Sequence, residues 1–446
     1  MTPLLERLDG WPDLVALHAF DPERYPFLLE SAAHGPAQAR WDILFACPGH
    51  RLQVDGAGEP FLPALDEWWR RERVPALSDS RVPFAGGWFV FCAYELAGEV
   101  EPTLALPSRS DDPLPVAAAV RIPVAVLRDH VRHEAWLVAE PQARRQRDLV
   151  LGDLATLREA PAAERGSLTD GALIEDDAGR YLDAVARARQ YVYDGDVFQA
   201  NLSRAWRGTL RDRATALDCY RRLRAHNPAP FAGLMRWSDH VTVASSSPER
   251  LVRVTGERVE TRPIAGTRRR GADADADAAL LAELVAHPKE RAEHVMLIDL
   301  ERNDLGRISR YGTVAVDEMM GVESYPTVHH IVSNLHGVLR DDVTPGGVIG
   351  ATFPGGTITG CPKVRCMEII AELEGEARGA YTGSFGWLAH NGDMDLNILI
   401  RTLTVRGREI ELRAGAGIVA DSEPERELDE TRAKAAGLLR ALAADA

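Results

Sequence analysis

Short apolar runs separated by glycine turns dominate the second half of the chain. Phe231 to Trp237 faces Val241 to Ser246, and Arg250 to Val254 faces Arg258 to Pro263 across Thr255-Gly256. Phe385 to Ala389 faces Met394 to Thr404 across Asn391-Gly392, a two-residue hairpin signal, and Arg406-Gly407 turns the chain into Glu409 to Ala414. Helical spacing marks Gln142 to Glu159, Tyr181 to Tyr193, Ala278 to Ala286, Pro288 to Leu300, Pro362 to Leu373 and the acidic stretch Glu423 to Leu439. Adjacent hairpins pair antiparallel, so the pattern predicts an α+β fold rather than a doubly wound parallel sheet. Ala160 to Gly171 has linker composition and divides the chain into regions 1–165 and 172–441.

At 446 residues the chain exceeds one ordinary core, so two domains or one large two-lobed unit is expected, and 45% hydrophobic content supports a real core. The net charge of −15 argues against nucleic acid or an anionic membrane as the main partner, the basic run Arg268-Arg-Arg270 being local. Five cysteines without CxxC spacing indicate neither a disulfide framework nor a zinc site. With no signal core and no membrane-length apolar stretch, the sequence reads as cytoplasmic.

Candidate chemistry concentrates near the C-terminus. Gly355 to Lys363 lacks the Gly-Lys-Ser/Thr ending of a phosphate loop, and Gly415-Ala416-Gly417 is not followed by the second strand of a dinucleotide fold. Both runs then read as glycine turns whose amides approach an anion. Arg401 stands among aliphatics in Ile398-Leu-Ile-Arg-Thr402, where a forked guanidinium asks for an anion such as a carboxylate. Glu290 with Glu293, and Glu427 with Glu430, are i,i+3 pairs, each on one helix face. Taken singly each pair is a solvated face; two faces beside an anion pocket suit Mg²⁺. Glu249, at a strand end in Ser245-Ser-Ser-Pro-Glu249-Arg250, faces a cavity with Ala265 or else pairs on the rim with Arg250 or Arg262. His330, among β-formers, reads on its own as a core residue.

Arg262-Pro-Ile-Ala-Gly-Thr267, Lys289-Glu-Arg-Ala-Glu-His294, Arg302-Asn-Asp-Leu-Gly306, Pro354 to Lys363 and Gly415 to Ser422 together resemble the chorismate-utilising enzymes. The resemblance is to the large component of aminodeoxychorismate synthase or anthranilate synthase, close over Ile174 to Leu439 and looser before it. It implies a large two-lobed antiparallel β-sandwich with helices packed outside, chorismate as substrate, and ammonia from a glutamine amidotransferase subunit. It also implies that Tyr381 and Arg401 hold the enolpyruvyl carboxylate. The ring carboxylate would meet the Gly415, Ala416 and Gly417 amides and Mg²⁺ on Glu293 and Glu430, with Glu290 and Glu427 nearby. Thr357 and Lys434 would be further substrate contacts. Glu249 would protonate the departing hydroxyl at carbon 4, and His330 would act near carbon 2, with Ala265 and Thr267 in the same catalytic segment.

Many aminodeoxychorismate synthases carry a nucleophilic lysine where this chain has Ala265, which excludes a covalent intermediate there and favours anthranilate synthase. Gly355-Gly-Thr-Ile-Thr-Gly360, Asp395 to Arg401, Ala32-Ala-His-Gly35 and Gly86 to Phe91 resemble the aminodeoxychorismate type instead. The expectation is a lysine-free aminodeoxychorismate synthase, with anthranilate synthase as the alternative. Gln199 stands where water-using relatives carry a lysine, so isochorismate is not an expected product. Phe27-Leu-Leu-Glu-Ser31 matches the family's tryptophan-sensing segment; on its own it reads as an ordinary strand and loop.

Overall fold

A computed structural model describes residues 3–33, 39–56, 60–74, 81–109, 112–157, 164–325 and 328–443, with the side chains of Thr267 and Lys289 outside that set. His34 and Gly35 of the Ala32 motif, Glu159 and the first residues of the expected linker also lie outside it.

Two antiparallel sheets organise the chain. Among the described residues one has twelve strands and the other ten, and each takes strands from before residue 165 and after residue 172. Two strands show why the sheets face each other. Along Gly87–Cys92 every residue is buried: Phe89 and Phe91 join an inner core, while Trp88, Val90 and Cys92 join an outer one. Trp41–Ala46 in the other sheet alternates likewise, with Ile43 and Phe45 inside and Leu44 and Ala46 outside. Phe27 stacks on Phe89 across the gap at 4.1 Å between ring centroids. Residues that alternate between two buried faces read as a continuous apolar run, which is how a doubly covered strand looks in sequence.

Helices cover the outer faces. Phe61–Glu72 and Pro288–Gly306 pack on the ten-stranded sheet, and Leu14–Phe20, Ala178–Tyr193, Ala216–His226, Lys363–Glu374 and Pro424–Leu442 on the twelve-stranded one. The expected α+β sandwich with external helices is the observed fold. Among the described residues no helix is long and apolar enough to cross a membrane.

Most expected elements appear with shifted ends. The helix expected from Ala278 starts at Ala274, because Asp273 caps the amide of Ala276 at 2.8 Å and draws the acid-alanine tract into the first turn. The expected helix at Gln142 spans Arg144–Thr156. Past residue 163 the linker region is tied down: Leu168 N donates to Leu442 O, and Leu168 O accepts from Arg211 N.

Two expectations fail. Met394 to Thr404 is not one strand: Met394–Asn397 belongs to the ten-stranded sheet and Thr402–Arg406 to the twelve-stranded one. Arg401 sits in the crossover between them with φ +54°, so it is not a strand residue. Gly415 to Gly417 is not a turn either. It lies inside the strand Glu409–Ile418, paired residue for residue with Ser203, Leu202 and Asn201. Glycine is needed there for space rather than for dihedral freedom, since a Cβ on Gly415 would lie 2.6 Å from Leu202 O and 2.8 Å from Asn201 Oδ1.

Candidate active site

Two of the chain's crossings between the sheets run side by side. Val241–Ser247 ends one strand and Arg250–Thr255 begins the next in the other sheet, leaving Pro248 and Glu249 in the crossing. Ile398 to Arg401 is the second crossing. The two are stitched together by Ile398 N to Glu249 O at 3.0 Å, Ser246 N to Arg401 O at 3.1 Å and Ser247 Oγ to Ile398 O at 2.5 Å. Backbone bonds thus set Glu249 and Arg401 in fixed relation.

Glu249 is 4% exposed, and its Oε1 accepts no hydrogen bond among the described residues. Rim pairing is excluded, because Arg250 is held by Asp395 and Arg262 by Glu318 and Glu323. Burial pushes the Glu249 carboxyl up to about 7, against the opposing pull of the Thr357 hydroxyl, the Ile264 amide, Arg401 and Lys434. A carboxyl that keeps its proton near neutral pH is suited to general-acid work.

Arg401 points the other way. Among the described residues its guanidinium makes no ion pair and no hydrogen bond, although the chain is rich in carboxylates. Burial lowers its pKa, and Tyr381, Glu249 and Glu430 act to raise it. A desolvated, unpaired cation is costly unless an anion arrives.

Around this pair lie more polar atoms without partners. Among the described residues Gln199 Oε1 and Asn201 Oδ1 are buried and unsatisfied, and Thr357 Oγ1 has no neighbour but the Glu249 carboxyl to turn to. Asn201 pairs across the sheet with Gly417, and a Cβ on Gly417 would lie 2.4 Å from Gln199 Nε2. The Tyr381 hydroxyl is 3.0 Å from where a Cβ on Gly415 would sit. Beyond Leu412 the strand of Gly415 loses its second neighbour, because the chain turns away at Arg401. That strand end therefore offers amides on an open edge, framed by small residues. Lys434 reaches it from the helix Pro424–Leu442, with Nζ 2.9 Å from Gly415 O and 2.7 Å from Glu430.

His330 is 5% exposed and lies edge-on to Tyr325 at 5.7 Å. Burial, with Arg401 adding to it, lowers its pKa to about 4, so the imidazole is neutral at physiological pH; a backbone contact with Gly266 opposes the shift. His330 pairs across the sheet with Thr267, whose side chain lies outside the described residues, and Ala265 pairs with Ile331.

The four acidic residues expected at a metal do not form a ready cage. No group of three or more His, Cys, Asp or Glu able to hold a metal occurs among the described residues. Glu290 pairs with Arg268 at 3.0 Å and Glu430 with Lys434 at 2.7 Å, while Glu293 is half-buried and Glu427 buried. Their hard oxygen donors nevertheless fit Mg²⁺, which binds through one or two carboxylates plus waters and substrate oxygens.

Sequence reading missed Asn201 and the buried carboxyl Glu301. The signal for Glu301 was its place directly before the Arg302-Asn-Asp-Leu-Gly306 motif. Leu29, Glu30 and Ser31 of the expected strand and loop line a separate cavity of about 280 Å³, together with Pro230, Phe231 and Asn397.

A family model described as chorismate binding enzyme matches residues 24–440. Anthranilate synthase component 1 of Thermus thermophilus is 42% identical over 435 residues, covering 93% of this chain and 92% of the relative. Aminodeoxychorismate synthase component 1 of Bacillus subtilis is 42% identical over 399 residues, covering 86% and 82%. Anthranilate synthase component I of Streptococcus pneumoniae superimposes with a TM-score of 0.78 at 30% identity, covering 91% of this chain and 93% of that one. The isochorismate synthase of Escherichia coli shares the fold, with a TM-score of 0.75 at 20% identity over 99% of this chain and 95% of that one.

Proposed function

The chain belongs to the chorismate-binding enzymes, and from that premise we propose that it aminates chorismate to 4-amino-4-deoxychorismate with ammonia from a glutamine amidotransferase subunit. The observation that carries an amination reading is the pairing of a protonated, buried Glu249 with an unpartnered Arg401 across one seam. Chorismate has two carboxylates. Arg401 and Tyr381 receive the enolpyruvyl carboxylate, and the open amide edge of Gly415 to Gly417, with Lys434 and Thr357 beside it, receives the ring carboxylate. Glu249 gives its proton to the hydroxyl leaving carbon 4, so the group departs as water rather than hydroxide. Such proton transfer typically contributes about 10²–10⁴-fold.

Ala265 offers no nucleophile, so the first ammonia adds to carbon 2 directly, with neutral His330 close by. A second ammonia then enters carbon 4 as the first leaves carbon 2, giving the 4-amino product. When bound, Mg²⁺ supplies charge neutralisation for the ring carboxylate, with Glu293 and Glu430 as its holders and Glu290 and Glu427 behind them.

What supports the aminodeoxychorismate product is Gly355 to Gly360, read with the 42% identity to the Bacillus subtilis enzyme of that name. A second reading, anthranilate synthase, is favoured by Ala265 and by the Thermus thermophilus relative. Product identity separates them. The purified chain is incubated with chorismate, Mg²⁺ and ammonium, with and without aminodeoxychorismate lyase. 4-Aminobenzoate that depends on the lyase supports the first reading; fluorescent anthranilate without any helper replaces it with the second.

A further inference from the structure

Glu301 is a buried carboxyl to which the mechanism above gives no task. It projects from the helix Pro288–Gly306 and is 6% exposed. That helix packs on the Gly356–Ile358 turn so closely that a Cβ on Gly356 would lie 2.5 Å from Leu300 Cδ2. Leu300, the neighbour of Glu301, is therefore pressed against the segment that carries Thr357.

The hydrogen bonds around Glu301 fix where its proton is. Thr261 Oγ1 lies 3.0 Å from Leu251 O and in a still closer contact with Glu301 Oε2. A hydroxyl has one proton to donate, and a carbonyl can only accept. If Thr261 donates to Leu251 O, the second contact needs a proton from the Glu301 carboxyl. If Thr261 donates to Glu301 instead, two lone-pair oxygens face each other across 3.0 Å. The first arrangement satisfies both contacts.

We propose that Glu301 is a protonated positioning residue, donating to Thr261 and so ordering the strand two residues beyond Glu249, while keeping a second negative charge away from the acid and from dianionic chorismate. This rests on the chorismate reading of the pocket. Of the groups around it, Asp304 from its own helix and Glu249 from the crossing both disfavour its anion, whereas the Thr261 hydroxyl favours the anion when it is the donor. Lys363 would favour the anion, but Asp304 holds that ammonium at 2.6 Å. Burial, with these carboxylates, pushes the Glu301 carboxyl up to about 8. Above that pH a charge appears behind the pocket and repels the substrate.

The test measures chorismate affinity by calorimetry at fixed Mg²⁺ and without ammonia, in a Glu249→Gln protein so that the acid itself no longer titrates. Between about pH 7 and pH 9, Kd should rise several-fold, and Glu249→Gln/Glu301→Gln should stay level within about twofold. The infrared band of a protonated carboxyl, present at neutral pH in the first protein, should be missing from the second. A rise that survives Glu301→Gln, affinity that is flat in both proteins, or an infrared band that Glu301→Gln leaves in place, overturns the proposal. If Glu249→Gln binds no chorismate at any pH, the substrate reading has failed on its own, and the infrared band still decides the state of Glu301.

Discussion

Replacing Arg401 by methionine should weaken chorismate binding and stabilise the empty protein at the same time. The guanidinium is half-buried without an ion pair among the described residues, so the free enzyme carries a desolvation cost that Tyr381, Glu249 and Glu430 offset only in part. Truncating one member of a buried charge pair costs about 2–5 kcal/mol of affinity. At about 1.4 kcal/mol per tenfold, that is roughly a 30- to 5,000-fold rise in chorismate Kd. Arg401 keeps part of its surface open to solvent, which favours the lower half of that range. For the same reason the gain in stability of the empty protein should be modest, about 1 kcal/mol. The left-handed backbone at φ +54° is kept in both side chains, so strain does not enter the comparison. Calorimetric titration with chorismate and thermal unfolding of the ligand-free protein read the two effects separately. An unchanged Kd refutes the anion assignment. A lower melting temperature refutes the claim that the charge is unpaired.

Glu249→Gln should abolish turnover while chorismate still binds, and retained turnover would remove its role as acid. In the wild-type protein the chemical step, followed in single turnover at constant free ammonia, should fall about tenfold per pH unit above about 7, since the acid form is the active one. The linkage has a definite sign. The folded-state pKa of Glu249 lies above its unfolded value, so its stabilising share is fully present below about 4.5 and is lost as pH rises through about 7. Unfolding midpoints of Glu249→Gln should lose that slope. Gly415→Ala should damage binding more than Gly417→Ala, because the first Cβ meets the Leu202 carbonyl at 2.6 Å and the second meets the movable end of Gln199; equal Kd values would sink this ranking. Chelation with EDTA should remove activity and added Mg²⁺ restore it, and full activity in EDTA would end the metal assignment.

The antiparallel α+β architecture was legible because turn dipeptides such as Asn391-Gly392 and Thr255-Gly256 mark hairpins locally. The paired crossings were not. Met394 to Thr404 keeps its apolar character through the crossing, since Ile398 and Leu399 are buried there as deeply as in a strand. Periodicity cannot see a chain change sheets when both sheets want the same residues. For Gly415 and Gly417, composition suggested a turn, whereas the need arises from Asn201, Leu202 and Gln199, more than two hundred residues away in sequence. The candidate site was legible through resemblance for Glu249, Arg401 and Tyr381. Glu301 was not, because its setting comes from burial and from a Thr261 hydroxyl supplied by another strand.

The stitched crossings also divide the pocket into a chassis and its fittings. Glu249 and Arg401 are anchored by main-chain bonds that belong to both sheets, so a change at Ser246, Ser247 or Ile398 strikes the fold and the reaction together. Gln199, Asn201, Ala265 and Thr357 reach the same space from strand ends and a short turn, through side chains alone. On the roles proposed above, a lineage built on this chassis can exchange its fittings, and hence its product, without rebuilding the acid or the anchor. A library meant to redirect the chemistry should vary those four positions and leave the seam untouched.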